Sequence, residues 1–236
     1  VSANAIGGRT ALNFSTGTKR LYRAPQLTDR DSAPLNQNKS RSVFIVAQPV
    51  GSAFGVIGGP LVQFGYPNTS HFTCPLTTDT GLTYEVMYYS FQSGFYSIQA
   101  YPPIDYRSVP VITEHRYTGY AGAGGGAAVG TLRFAVNGVE KGSGTVLDGD
   151  RGVNPGGVII GGEGTIGVPG WCGLISEILV YDYDLTGTDA LREVRSYLNG
   201  EYSVGPPPPQ VNDAVRSAQL GLSFRQQPIA NRMPGT

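Results

Sequence analysis

Two stretches of the chain combine residue types that chemistry can use. In the first, Tyr96, Tyr101 and Tyr106 stand with Asp105 and Arg107 around the bend at Pro102-Pro103. Sugar rings have apolar C–H faces and polar edges, so a glycan site joins aromatic rings to a few fixed hydrogen-bonding groups, and this segment offers that mixture. Tyrosines at alternating strand positions also line sandwich cores, and that reading stands beside the first. The second stretch is the loop LDGDRGVNPGG, where Asp148, Asp150 and Asn154 bring side-chain oxygens to the close spacing that a hard cation such as calcium needs. Gly152 occupies the place of a further carboxylate, and Asp-Gly and Asn-Pro steps are equally ordinary turn chemistry.

Charge and composition narrow the partners. The 236 residues carry no formal net charge and only 14% are charged, which leaves no electrostatic footprint for nucleic acid or an anionic membrane. No apolar run approaches the roughly 20 residues of a membrane helix. Neither nucleic acid nor membrane is expected as a partner. Cys74 and Cys172 lack CxxC or Cys/His metal spacing, and are read either as a pair or as two buried free thiols. The chain opens at Val1, which is read as processing or as a start within a longer product.

The elements that position these groups are short strands. Residues 42–49 form a continuous apolar run of strand length, expected at the centre of a sheet. An Asn137-Gly138 step between alternating runs predicts a hairpin. The aromatic stretch 84–106 is expected to fold back at Ser93-Gly94. Leu12 and Phe14, then Leu21, predict two short strands about Gly17, and VIIGG supplies another. In 174–181, Ile175, Leu179 and Tyr181 are expected on one face and Leu174, Ile178 and Val180 on the other, a strand covered on both sides. Thr186 stands three residues before Asp189, a capping-box spacing, and Ala190, Leu191, Val194, Tyr197 and Leu198 follow at helical intervals up to Asn199-Gly200.

The segments GGRTALNFSTGTKRLYRAP, SRSVFIVAQP, TLRFAVNGVEKGSG, VIIGG and GWCGLISEILVYDYDLTGTDALREVRSYLNGEY resemble, in that order, the laminin-G-like, concanavalin A-like jelly-roll domains. The resemblance covers residues 7–204, with the strand-helix part as its specific portion. It implies an all-β fold, a two-sheet antiparallel jelly-roll sandwich with one short C-terminal helix. It leaves function open between lectins, glycosidases, adhesion modules and virion proteins.

Glucanases on this fold place two carboxylates on one strand face through an E-x-D-x-x-E motif. Here no glutamate is followed two residues on by aspartate. Glu177 lies within an apolar strand and reads as a group with hydrogen-bond or arginine partners. Glu114-His115 reads as an exposed strand end, since no serine-elbow or cysteine-nucleophile motif accompanies it. The glycine-rich run 122–130 lacks the phosphate-loop pattern and lies between strands, where a hairpin loop is expected. An enzyme is not expected.

The chain therefore divides into a jelly-roll domain over 1–204 and, over 205–236, a proline-rich linker and extended C-terminal arm. Pro206 to Pro209 form a stiff spacer. Beyond it Leu220, Leu222 and Phe224 alternate as in a short strand that contacts other subunits of an assembly. The expected function is a non-enzymatic structural or adhesion component of a phage-like virion that binds surface polysaccharide. The alternative is a secreted bacterial carbohydrate-binding domain, with a glycoside hydrolase more remote. The expected location is the virion surface or the extracellular space.

Overall fold

The computed structural model describes residues 2–14, 21–23, 40–49, 60–65, 71–75, 77–79, 83–85, 87–91, 95–99, 109–119, 130–146, 158–162 and 171–204. In chain order the elements are β1 (Ser2–Ile6), β2 (Arg9–Asn13), β3 (Leu21–Arg23), β4 (Arg41–Pro49), β5 (Pro60–Gly65), β6 (His71–Pro75), β7 (Thr77–Asp79) and β8 (Thr83–Glu85). Then come β9 (Met87–Phe91), β10 (Phe95–Gln99), β11 (Val111–Tyr117), β12 (Gly130–Val136), β13 (Val139–Val146), β14 (Val158–Ile160), β15 (Gly173–Tyr181) and helix α1 (Asp189–Tyr202).

The strands form a seven-stranded sheet in the order β1-β2-β15-β4-β11-β12-β13 and a six-stranded sheet in the order β10-β9-β6-β5-β14-β3, with β7-β8 as a separate pair. Every pairing between described strands is antiparallel. The all-β sandwich implied by the sequence is the fold observed. The predicted strands around Leu12 and Leu21 belong to different sheets.

The unbroken apolar run of β4 follows from its position between β15 and β11, with cover on both faces. Val43, Ile45 and Ala47 face the core between the sheets, among Leu61, Phe64, Phe134 and Trp171. Phe44 and Val46 face the other way, into a second cluster built with Leu191, Val194, Leu198 and Tyr202 of α1. Each such buried side chain contributes roughly 1.5–3 kcal/mol of transfer free energy, which is what ties the helix to the sheet. Asn137 (φ 51°) and Gly138 (φ 77°) make the predicted hairpin turn with two positive φ angles, the backbone that a two-residue loop requires.

β15 departs from the simple alternation. Its register against β4 shifts between Ile175 and Glu177, so Ser176 is an extra, bulged residue. Before the bulge Leu174 packs on the helix cluster and Ile175 on the core; after it Ile178 packs on the core while Leu179 and Tyr181 pack on the helix cluster. The expected grouping of Ile175 with Leu179 and Tyr181 is corrected by that one extra residue.

The helix also starts and ends later than its spacing predicted. Its N-cap is Thr188, which accepts a hydrogen bond from the Leu191 amide at 3.2 Å. Thr188 itself donates to the Leu185 carbonyl through its amide (3.0 Å) and hydroxyl (2.7 Å), closing a turn that includes Thr186 and so excludes it as the cap. At the other end Gly200 is helical and Ser203 (φ 51°) is the left-handed C-cap. A helical glycine costs about 1 kcal/mol relative to alanine, but Tyr202 is buried in the helix cluster and carries the helix past it. Gly7 (φ 54°) lies against that tyrosine, where a Cβ would approach the Tyr202 backbone to 2.7 Å. The β1–β2 turn and the end of α1 therefore fit together only with glycine at that position.

Cys74 and Cys172 are buried thiols and not a disulfide, and burial raises both above their ordinary range, which lowers their reactivity. Among the described residues no helix is long and apolar enough to cross a membrane.

Candidate functional site

β11 is buried along its whole length although it reads Val-Ile-Thr-Glu-His-Arg-Tyr. The expectation that Glu114-His115 is an exposed strand end is corrected: both residues are fully buried. Sheet alternation sends them to opposite faces. His115 enters the inter-sheet layer with its ring centroid 5.1 Å from that of Phe134. Burial lowers its pKa to about 3, so it is neutral near pH 7.

Glu114 faces α1, where Arg195 donates Nε to Oε1 at 2.8 Å and Nη2 to Oε2 at 2.7 Å. On the same face of β11, Arg116 lies 3.7 Å from Glu114 and donates Nη1 to the Thr186 hydroxyl at 2.7 Å. Glu140 of β13 lies 3.6 Å from Arg116 and 3.5 Å from Arg133 of β12. Burial pulls Arg116 below the usual guanidinium range and Glu114 opposes that shift. Alternating charges thus run from helix to sheet edge, compensating a buried carboxylate that hydrophobic packing alone cannot accommodate.

A second polar group lies at the other flank of the helix. The bulge at Ser176 shifts Glu177 from the core face to the helix-side face, in step with Leu179 and Tyr181. There Tyr197 of α1 donates its hydroxyl to the Glu177 carboxylate, 3.1 and 3.3 Å from its two oxygens. That hydrogen bond is the first cause raising the Tyr197 phenol above its ordinary pKa, so it remains a donor. The Tyr202 hydroxyl interacts with the same carboxylate, and its phenol is raised first by burial and then by Glu177. Arg9 and Glu201 form an ion pair beside this group.

Tyr181 links the carboxylate to the bend that follows β15. Its ring makes edge contacts with Phe44 at 6.0 Å and with Tyr183 at 5.9 Å. Ser42 donates to the Tyr183 carbonyl and accepts from the Leu185 amide, each at 3.0 Å, so the bend is pinned to central strand β4. Tyr183 is 47% exposed and Tyr197 is 48% exposed. Tyr197 thus orients the Glu177 carboxylate at the helix flank, while Tyr183 stands on the bend after β15, against Tyr181.

Sequence reasoning placed its candidates elsewhere. Tyr96 lies in β10, in register with Ser90 of β9, and Ser90 is in register with Phe72 of β6; Tyr101, Asp105, Tyr106 and Arg107 lie outside the described residues. So do Asp148, Asp150 and Asn154, the calcium candidates, and Leu220, Leu222 and Phe224 of the arm. Glu177 does have the hydrogen-bond partners expected of it, but they are tyrosines. The Tyr197–Glu177 contact had one sequence signal: Tyr197 falls beside the apolar stripe Leu191, Val194 and Leu198.

No family model matches the sequence, and no curated protein matches it. Solved structures do. The CBM40 domain of the Ruminococcus gnavus IT-sialidase, bound to α2,3-sialyllactose, matches with TM-score 0.53 and 15% identity over 79% of this chain and 96% of that one. Domains LG4-5 of the mouse laminin alpha1 chain match with TM-score 0.51 and 14% identity over 78% and 44%. The enzymatically active domain of bacteriophage CBA120 tailspike protein 2 matches with TM-score 0.51 and 12% identity over 89% and 30%. At these identities the likeness is one of fold: the chain has the concanavalin A-like, laminin-G-like jelly-roll fold.

Proposed function

We propose that this jelly-roll domain is a non-enzymatic glycan-binding module that serves as a structural or adhesion component of a phage-like virion. The observation that carries the glycan reading is the extent of the shared fold: 96% of a sialidase CBM40 domain bound to sialyllactose is covered by this sandwich. Support for the virion setting comes from the shared fold of a bacteriophage tailspike domain. The sequence adds a proline spacer followed by the alternating Leu220, Leu222 and Phe224, a pattern suited to strand addition on a neighbouring subunit. The location that follows is the virion surface.

The non-enzymatic part is supported by how the carboxylates are engaged. Both oxygens of Glu114 are taken by Arg195, and Glu177 accepts from Tyr197. Glycoside hydrolysis needs an acid and a second carboxylate flanking one bond. These two glutamates instead serve separate contacts to α1. The second reading, a secreted bacterial carbohydrate-binding domain, is favoured by the same sialidase-domain match and needs no assembly arm. A glycoside hydrolase is the remote third, kept by the tailspike match, whose described domain is enzymatically active.

A microarray of neutral and acidic oligosaccharides and bacterial surface polysaccharides, probed with the full chain, tests the proposal. Saturable retention on at least one glycan is expected. Retention on none across the array contradicts it.

A further inference from the structure

Among the described strands the two large sheets end in four edges, β1 and β13 in one and β10 and β3 in the other. Three of them are protected. β10 lies against β13, so those two edges close on each other at one side of the sandwich. β13 also carries Lys141 as an extra, bulged residue beside Glu140, and bulges and charges are devices that keep an edge from pairing. β3 is only three residues long. β1 differs: it runs for five residues, and among the described strands it pairs with β2 alone. Its outer row of N–H and C=O groups is a template for one more strand.

We infer that β1 is the docking edge for the segment Leu220 to Phe224 of a second copy of this chain. This rests on the reading of residues 205–236 as an assembly arm, and it names the surface that receives the arm.

The first support is where the chain leaves the domain. Val204 is buried in the same apolar cluster as Ile6 of β1, and the Tyr202 backbone lies against Gly7 of the β1–β2 turn. The arm therefore starts at one end of the β1 edge.

The second is that the residues which follow cannot use that edge themselves. Pro206 to Pro209 have no N–H to give to a ladder. As a polyproline segment they carry the chain about 12 Å onward. Extended at about 3 Å per residue, residues 205–219 reach roughly 45 Å, comparable with the roughly 40 Å diameter of a compact domain of this size. That reach suits the edge of a neighbouring copy. Pairing with its own β1 requires the same spacer to fold back along a strand only roughly 17 Å long.

The third is fit. Leu220 to Phe224 spans five residues, the length of β1. Leu220, Leu222 and Phe224 fall on one face of an added strand and Gly221 and Ser223 on the other, the pattern of a strand with one face covered. No proline occurs between Gln210 and Gln227, so every amide of the segment is free to enter the ladder.

Sedimentation velocity and amide hydrogen exchange on the full chain, from dilute to concentrated protein, test the docking edge. The comparison is Leu222→Pro, which removes a ladder donor from the arm, with thermal unfolding as the control for folding. Wild type is expected to associate as its concentration rises, while exchange at residues 2–6 slows, by about tenfold once the concentration is about ten times the dissociation constant. Leu222→Pro is expected to do neither and to melt close to wild type. Association that Leu222→Pro abolishes, but that protects β3, β10 or β13 in place of β1, overturns the docking edge and leaves the arm reading intact. Protection of β1 that is independent of concentration and lost in Leu222→Pro puts the arm on its own domain and overturns both. Association that persists in Leu222→Pro and protects β1 assigns the edge to another segment and overturns the inference. A wild type that stays monomeric with unchanged exchange in β1 overturns docking between copies, and the arm reading then rests on truncation alone.

Discussion

Arg195 of α1 grips Glu114 of β11 with two parallel hydrogen bonds of 2.8 and 2.7 Å across 81 residues of sequence, and Glu114 is fully buried while Arg195 keeps about a quarter of its side-chain surface. Removing one partner of a buried ion pair leaves a charge without compensation, and such losses run to roughly 3–5 kcal/mol. Arg116, 3.7 Å from Glu114, offsets part of the loss. Arg195→Met is therefore expected to destabilise the domain by about 3 kcal/mol in urea titrations. Glu114→Met on that background should recover part of it, because the buried carboxylate is gone and Arg116 keeps Glu140 at 3.6 Å and the Thr186 hydroxyl as partners. A double variant as unstable as the sum of the two singles would show that the pair is not the clamp.

His115 gives the fold an acid-sensitive element. Burial lowers its folded pKa to about 3, while the unfolded chain titrates near 6.5. Between those values the unfolded state binds the extra proton, so stability falls as pH falls, by about 1.4 kcal/mol per pH unit at full effect. The contribution is complete above about pH 6.5 and is lost progressively towards pH 3. Urea midpoints measured from pH 7 to pH 4 should show this slope in wild type and a shallower one in His115→Gln. Equal slopes would assign the acid sensitivity to other groups.

Helix initiation separates two threonines. Thr188→Ala removes the cap and should cost about 1 kcal/mol, with Thr188→Asp restoring most of it. Thr186→Asp should not stabilise the helix, since the Thr186 hydroxyl donates to Asp184 at 2.7 Å and accepts from Arg116 at the same distance. Rescue at position 186 and none at 188 would move the cap back to Thr186.

Much of this architecture is readable locally. The apolar run of β4, the Asn137-Gly138 turn and the stripe Leu191, Val194 and Leu198 each state their environment within one element. The remainder depends on contacts between distant segments. β1 shows too little patterning to be recognised alone, and gains its place by pairing with β2. The polar core of β11 looks like a solvent edge until Arg195 is brought over it. The bulge at Ser176 leaves no mark in composition, yet it moves Glu177 to the other face. The Tyr197–Glu177 contact joins a helix to a strand, so the position of Tyr197 beside the stripe shows in the sequence but its partner does not.

The proposed arm is tested by truncation. Fixing a backbone costs roughly 1–2 kcal/mol per residue, so an ordered arm must gain its contacts from a partner. A chain ending at residue 205 is expected to unfold at the same temperature as the full chain and to fail to enter its assembly. Normal incorporation of that chain would favour the secreted carbohydrate-binding reading.

The central claim is that the domain holds glycan without cleaving it. The direct measurement incubates the full chain with the polysaccharide it retains best and follows bound fraction and new reducing ends in the same samples. The expected result is saturable retention with no increase in reducing ends. Reducing ends that accumulate with wild type and vanish with Glu177→Gln or Glu114→Gln would contradict it and make the protein a glycoside hydrolase.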